Sequence, residues 1–261
     1  RTKLQNSTVP NPNPRPRHAI ATYVDGNAHL LGLYSILQQA RNTGMADEDG
    51  VEIVIATGES RLTIRGGKES VIGRTLRTWQ QEGLIHELAV VNNDFILNKI
   101  RGREKRLWEG VFNKLIFFNF TNYDKLIILD NDILIRQNIR HWFDYETPCD
   151  TQMKGTLEWN SGAMVITPNR TVFEAMMERL PHTYNYNSEM EKYLSPGGLD
   201  PWNSGLHDQG FLSSFFTTDA DHMMKTMPVG SAFRSVSLDD SNSKYFWRHR
   251  NHIFETIHFT T

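Results

Sequence analysis

The stretch Lys125–Arg136, KLIILDNDILIR, limits what this chain can fold into more than any other. Leu126, Ile127, Ile128 and Leu129 form an aliphatic run that breaks off at Asp130-Asn131-Asp132 and resumes as Ile133-Leu134-Ile135. A run this short and continuously apolar predicts a strand buried on both faces, as in a parallel sheet covered by helices. An ionised carboxylate left unpaired in such a core would be strongly destabilising. Asp130 and Asp132 therefore belong at the end of the strand, and the carboxyl edge of a parallel sheet is where α/β proteins bind ligands. At spacing i, i+2 the two can turn oxygens toward one hard divalent cation, which takes oxygen ligands and often keeps a diphosphate as co-ligand. A solvated Asp/Asn turn would use the same residue types. The apolar strand in front is what argues for the site.

The rest of the composition narrows the class. With 261 residues, 39% hydrophobic and 22% charged, the chain suits one α/β domain, or two small ones, with a full core. A formal net charge of -2 and the lack of a long Lys/Arg run argue against a nucleic-acid role, which needs a basic stripe. No apolar run reaches the ~18 residues of a membrane helix and no signal peptide is present, while the opening Arg1 leaves room for an anchor upstream. The single cysteine, Cys149, excludes an internal disulfide framework and a cysteine-rich zinc site. Acceptor sequons at Asn6, Asn119 and Asn169 together point to a lumenal protein.

Residues 1–17 hold four of the ten prolines and almost nothing apolar, which predicts an extended stem ahead of a domain spanning 18–261. His18–Val24 reads as a first strand. Asn27 is expected to cap a helix through about Arg41, with Leu30, Leu31, Tyr34, Ile36 and Leu37 on or near one face. Val51–Thr57 reads as a second strand, Glu69–Glu82 as a helix and Leu84–Val91 as a third strand. This alternation predicts a doubly wound, mostly parallel sheet flanked by helices. Val24-Asp25-Gly26-Asn27 does not fit the G-x-G-x-x-G of a dinucleotide site, which disfavours a dehydrogenase.

A basic segment, Arg101–Arg106, opens the next expected helix, which runs through Val111, Leu115, Ile116 and Phe118. It is either a solvated helix start or a phosphate clamp, since ammonium and guanidinium groups stabilise diphosphate oxygens. Lys114 lies inside the apolar part of that helix, where a lysine either snorkels or serves a site. Asn138–Phe143 reads as a short helix. Beyond it, Asn160-Ser161-Gly162 feeds a strand that Pro168 stops, and Asn169–Leu180 is an amphipathic helix. Residues 183–206 are polar and punctuated by Pro and Gly, which suggests a loop over a site. His207-Asp208-Gln209-Gly210 opens an apolar helix, where an aspartate is at its simplest a cap. The chain ends on Ile257-His258-Phe259-Thr260-Thr261.

In this order (strand and D-x-D, N-S-G and strand, H-D-Q-G and helix, then I-H-F) the chain resembles glycosyltransferase family 8. That family contains glycogenin and plant galactinol and xylan-glucuronosyl transferases, and the resemblance runs from about His18 to Thr261. It implies a single GT-A domain with a Rossmann-like sheet, manganese, a UDP-sugar donor and retention of anomeric configuration. Asp130 and Asp132 match the metal-binding aspartates and His258 the third protein ligand, a mixture of oxygen and imidazole donors that suits manganese. Ala21, Thr22 and Tyr23 match where the family holds uracil and ribose, and Asn131 is grouped with the donor-binding residues. Lys114 matches the lysine that reaches the donor, and Lys105 or Arg106 the basic residue upstream. Asn160 and Ser161 match the polar pair beside the sugar, and Asp208 and Gln209 the D-Q at the reacting centre.

Two departures stand out. The family follows its H-F with a glycine and a K-P-W run, whose lysine binds the diphosphate, and the given segment stops at Thr261. Residues 235–241 carry no tyrosine of the kind glycogenin glucosylates, so self-glucosylation is not supported. The implied protein is a transferase acting on a glycan in the Golgi lumen, with a type II anchor upstream; a cytoplasmic enzyme is the alternative. The rival function is a non-catalytic nucleotide-sugar- or glycan-binding module on the same fold. A nucleotidyltransferase would need a glycine-rich basic loop after the first strand, which is lacking.

Overall fold

Parity along the central strands decides the architecture. In chain order the elements are β1 (His18–Val24), α1 (His29–Asn42), β2 (Glu52–Gly58), α2 (Glu59–Leu62), α3 (Val71–Gln81), β3 (Glu87–Val91) and a 3-10 segment Val111–Asn119. They continue with β4 (Lys125–Leu129), β5 (Ile133–Ile135), a 3-10 turn Arg140–Asp144, β6 (Cys149–Gln152), β7 (Trp159–Ile166) and α4 (Arg170–Thr183). The last are α5 (Asp208–Thr218), β8 (Lys225–Thr226), β9 (Ala232–Ser235) and β10 (Thr256–Phe259). The structure, a computed structural model, describes residues 16–46, 50–64, 67–92, 96, 111–152, 159–183, 208–218, 225–227, 232–235 and 255–259.

Ala19, Ala21 and Tyr23 of β1, Val54 and Ala56 of β2, Leu126 and Ile128 of β4, and Met164 and Ile166 of β7 enter one hydrophobic layer. Their alternates, among them Ile20, Ile53, Ile55, Ile127, Leu129 and Val165, enter the other. Successive strand residues point to opposite faces, so a sheet apolar at both parities must be covered on both sides. Phe112, Leu115, Phe117 and Phe118 of the 3-10 segment join α4 and α5 over the first face. Leu33, Ile36, Leu37 and Ala40 of α1 and Ile72 and Leu76 of α3 cover the second.

Among the described residues the main sheet has seven strands, in the order β3-β2-β1-β4-β7-β6-β8. β3, β2, β1 and β4 run parallel, β7 is antiparallel to β4 and β6, and β8 runs parallel to β6. The mostly parallel sheet expected from the sequence is thus present, with an antiparallel insertion at β7. The chain runs from β1 outward to β3, then returns to place β4 on the other side of β1. The strand order reverses there, and the crevice at such a switch point, outside the carboxyl ends of the strands, is where open α/β sheets take ligands. A second sheet, β5-β10-β9, stands next to that crevice, because β5 follows the D-N-D turn directly.

The amino edge is latched separately. Arg17 pairs with Glu52 at 2.8 Å, and its backbone N–H donates to Asp124 at 2.7 Å. The chain therefore enters the sheet at the edge opposite the crevice.

Several expectations need correcting. Asn27 does not cap α1: the N-cap position is Ala28, without a side-chain bond, and the turn closes through backbone bonds from His29 to Gly26 and Leu30 to Asn27. Leu31 and Tyr34 are 80% and 42% exposed, not part of the buried stripe. The second helix starts later than expected, because the Ser70 hydroxyl accepts from the Gly73 N–H and sets the first turn at Val71. Leu84–His86 belong to the turn before β3, since Leu84 and Ile85 bond back to Trp79. Val111–Asn119 is a 3-10 segment rather than the end of an α-helix. The basic run Arg101–Arg106, with Lys105 and Arg106, and the 184–206 part of the expected loop lie outside the described residues.

Candidate active site

Three segments meet at the carboxyl end of β4. Because β7 runs antiparallel, its opening residues Asn160-Ser161-Gly162 lie beside the end of β4, and the Asp130 N–H donates to the Gly162 carbonyl at 2.8 Å. The 3-10 segment passes beneath and delivers Lys114. Its ammonium lies 2.6 Å from Asp130 Oδ1, 2.9 Å from Asp208 Oδ2 and 3.3 Å from the Ser161 carbonyl oxygen. Lys114 does not snorkel, for its side chain is only 8% exposed and that of Asp208 7%, against 34% for Asp130.

Burial alone would depress the Lys114 pKa, but the charges of Asp130 and Asp208, and their hydrogen bonds to it, outweigh that and raise it. The lysine is a fixed cation. Asp208 is the first residue of α5, where the helix dipole favours a carboxylate. Apart from its ion-pair contact with Lys114, no aligned hydrogen bond reaches Asp208 Oδ2 among the described residues. Among the described residues, Asp130, Asp208 and the exposed Asp132 bring three carboxylates to the crevice beside the Lys114 ammonium. An excess of hard oxygen donors at one crevice suits a divalent cation.

His258 arrives on β10, whose backbone pairs antiparallel with β5 so that His258 stands opposite Ile133, the residue after Asp132. Its side chain lies outside the described residues, and among those that are described no three His, Cys, Asp or Glu side chains converge as a metal site. What fits the metal is the donor chemistry and the register. Glu255 staples the start of β10: it accepts from Trp142 Nε1 at 2.7 Å, contacts His141 at 3.0 Å, and its carbonyl accepts from the Arg136 N–H at 2.8 Å.

The remaining predicted residues divide. Asn160 is buried and its Oδ1 accepts from the Gly162 N–H at 3.1 Å, so it shapes the N-S-G turn beside the site. Ser161 reaches the site through its carbonyl. Gln209 is half-buried next to Asp208. Ala21 and Tyr23 send their side chains into the core. The Thr22 hydroxyl donates to Asn131 Oδ1 at 3.0 Å, and Asn131 Nδ2 donates to the Tyr23 carbonyl at 2.7 Å.

Sequence reasoning missed Asp25 and His29, which face the same crevice. Asp25 follows β1 immediately, and its Oδ1 lies 2.8 Å from His29 Nδ1 on the first turn of α1. The signal was Asp25-Gly26-Asn27, read only for its failure to match a glycine-rich loop. The hydrogen bond to Asp25 raises the His29 pKa against burial, with further help from the charges of Asp25, Asp132 and Asp130. A raised imidazole pKa stabilises the fold fully below the unfolded value, and that contribution fades as pH rises through the folded one. We expect the His29 imidazole resonances to titrate above the ordinary histidine range, and Asp25→Asn to lower the midpoint. A midpoint at or below the ordinary value in the parent protein would contradict the pairing.

No protein-family model matches the chain. The inositol phosphorylceramide glucuronosyltransferase 1 of Arabidopsis thaliana is 24% identical over 259 residues, 93% of this chain and 41% of that protein. The UDP-glucuronate:xylan alpha-glucuronosyltransferase 1 of the same plant is 34% identical over 113 residues, 43% of this chain and 17% of that protein. Its galactinol synthase 4 is 23% identical over 77% of this chain and 61% of its own length. The chain thus spans about two fifths of the first of these relatives. Among solved structures, mouse xyloside xylosyltransferase 1 superposes with a TM-score of 0.55 at 12% identity, covering 93% of this chain and 97% of that one. The galactosyltransferase LgtC, solved with donor and acceptor sugar analogues, gives 0.51 at 14% identity over 93% and 87%. The fold is that of the GT-A glycosyltransferases. Within that GT-A fold, the D-N-D turn, the N-S-G strand and the D-Q helix come together at the switch-point crevice. The plant transferases it is similar to are of the family that its motifs resemble.

Proposed function

We propose that this chain is a retaining, manganese-dependent glycosyltransferase that moves a hexose-type sugar from a UDP-sugar to a glycan hydroxyl. The observation that carries the reading is the buried Lys114, bonded at once to Asp130 at the end of β4 and Asp208 at the start of α5. Desolvating one ammonium and two carboxylates is costly, and a fold keeps such a group where charge has to be managed. Named relatives support the donor class, since two of them are glucuronosyltransferases.

Asp130, Asp132 and His258 are the residues that would hold manganese, with Asn131 and the backbone of Ala21, Thr22 and Tyr23 beside them on the donor side. When bound, the metal supplies Lewis-acid stabilisation of the diphosphate leaving group. Lys114 holds Asp130 and Asp208 in register and adds fixed positive charge near the leaving group. As the anomeric C–O bond to UDP breaks, positive charge grows on the sugar ring, which the Asp208 carboxylate stabilises electrostatically while Gln209 helps orient the sugar. Retention requires the acceptor oxygen to bond the anomeric carbon on the face UDP leaves, its proton passing to a diphosphate oxygen, or else two inversions through a carboxylate. The ammonium on Asp208 Oδ2 lowers its nucleophilicity and so favours the first path.

The exposed sequon residues Asn119 and Asn169, and a stem entering at the edge opposite the site, fit a lumenal Golgi enzyme anchored upstream. No described helix is long and apolar enough to cross a membrane. The function is tested by UDP release from UDP-glucose, UDP-galactose, UDP-N-acetylglucosamine and UDP-glucuronate, with manganese and with a chelator. Manganese-dependent release from one donor is expected, and Asp208→Asn should cut that rate about 10²–10³-fold while UDP affinity holds. Binding of UDP without release from any donor in the presence of acceptor glycans would favour the non-catalytic module instead.

A further inference from the structure

Backbone pairing between β1 and β4 runs from His18 opposite Lys125 to Ala21 opposite Ile128 and then stops, although β1 continues paired with β2 as far as Val24. Beyond that point the Asn131 side chain takes over. Its Nδ2 donates to the Tyr23 carbonyl at 2.7 Å and its Oδ1 accepts from the Thr22 hydroxyl at 3.0 Å, so one amide bridges the switch-point crevice where the ladder has ended. The backbone of Asn131 is held as closely from the other side. A Cβ on Gly32 of α1 would sit 1.8 Å from the Asn131 carbonyl oxygen, so only glycine lets the helix approach the turn there.

We propose that Asn131 is a positioning residue: it pins the middle of the Asp130-Asn131-Asp132 turn to the end of β1 and thereby sets the separation and direction of the two carboxylates. The inference rests on the metal site proposed above. Asn131 acts through Asp130 and Asp132, and Thr22 acts through Asn131. An amide doing this needs both a donor and an acceptor at fixed reach, which an alanine lacks and a serine is too short to supply. Partners of this kind behind metal-binding groups typically govern affinity by about 10- to 100-fold.

The test combines two readouts. Hydrogen exchange on the metal-free protein reads the turn itself: Asn131→Ala should speed exchange of the Asp130 and Ile133 amides, which bond Gly162 and Asp130, and leave the mid-strand amides of β4 as protected as before. Manganese titration without nucleotide, followed by the paramagnetic resonance of free ion, should show affinity weakened about 10- to 100-fold in Asn131→Ala and by less in Thr22→Val, which removes one bond of the two. That gradation is not expected of an asparagine whose amide itself ligates the ion, since Thr22→Val would then leave binding intact. Unchanged exchange at Asp130 and Ile133 in Asn131→Ala, or unchanged manganese affinity alongside normal binding by the parent protein, overturns the assignment. A parent protein that binds no manganese overturns the metal reading first, and this one with it.

Discussion

Replacing Lys114 by methionine is expected to lower the free energy of unfolding by about 3–5 kcal/mol at neutral pH. The two side chains are similar in length and volume, so little cavity forms and the loss is electrostatic. Asp130 and Asp208 would be left around a buried space with no cation between them. In the parent protein the raised Lys114 pKa means its contribution is fully present below the unfolded lysine value. It is therefore constant through the neutral range and lost only in strong alkali. Urea melts near pH 7 should show this deficit. A deficit below about 1 kcal/mol at pH 7, the range of exposed pairs, would mean that Lys114 is not the hub described here.

Much of the fold was legible because apolar parity is a local property. Four branched aliphatics before Asp130 announced a strand buried on both faces, and His18–Val24 came out with its predicted bounds. The face of α1 was not legible. Leu30, Leu31, Leu33, Tyr34, Ile36 and Leu37 ring most of that helix with apolar groups, so periodicity alone does not choose a stripe. Gly32 decides: the side without a Cβ must meet the Asn131 carbonyl, and Leu31 and Tyr34 then turn outward.

The same contrast holds at the candidate site. Asp130, Lys114 and Asp208 were recognisable by type and order, and the structure brings them into contact. Their convergence depends on β7 pairing antiparallel to β4, which no local pattern encodes. Asn131 looked like one more donor-facing polar residue, because nothing in an isolated D-N-D shows that β1 loses its β4 backbone partners two residues before β4 turns. Asp25 escaped notice since one carboxylate after a strand reads as a turn until a histidine one helical turn later is found against it.

Asp132→Ala should reduce manganese-dependent transfer about a thousandfold or more, the loss of several kcal/mol of leaving-group stabilisation. Its neighbour gives the control. Asp130 carries an ion pair to Lys114, so Asp130→Ala removes a proposed cation ligand and also part of a buried charge balance, and should lose stability as well as turnover. Asp132 is exposed, so Asp132→Ala should melt within about 0.5 kcal/mol of the parent, as surface substitutions do. Thermal shift with added manganese and no donor separates binding from chemistry, and the parent's upward shift should vanish in both variants. A stable Asp132→Ala protein that keeps both the shift and the turnover would remove the second carboxylate from the metal site.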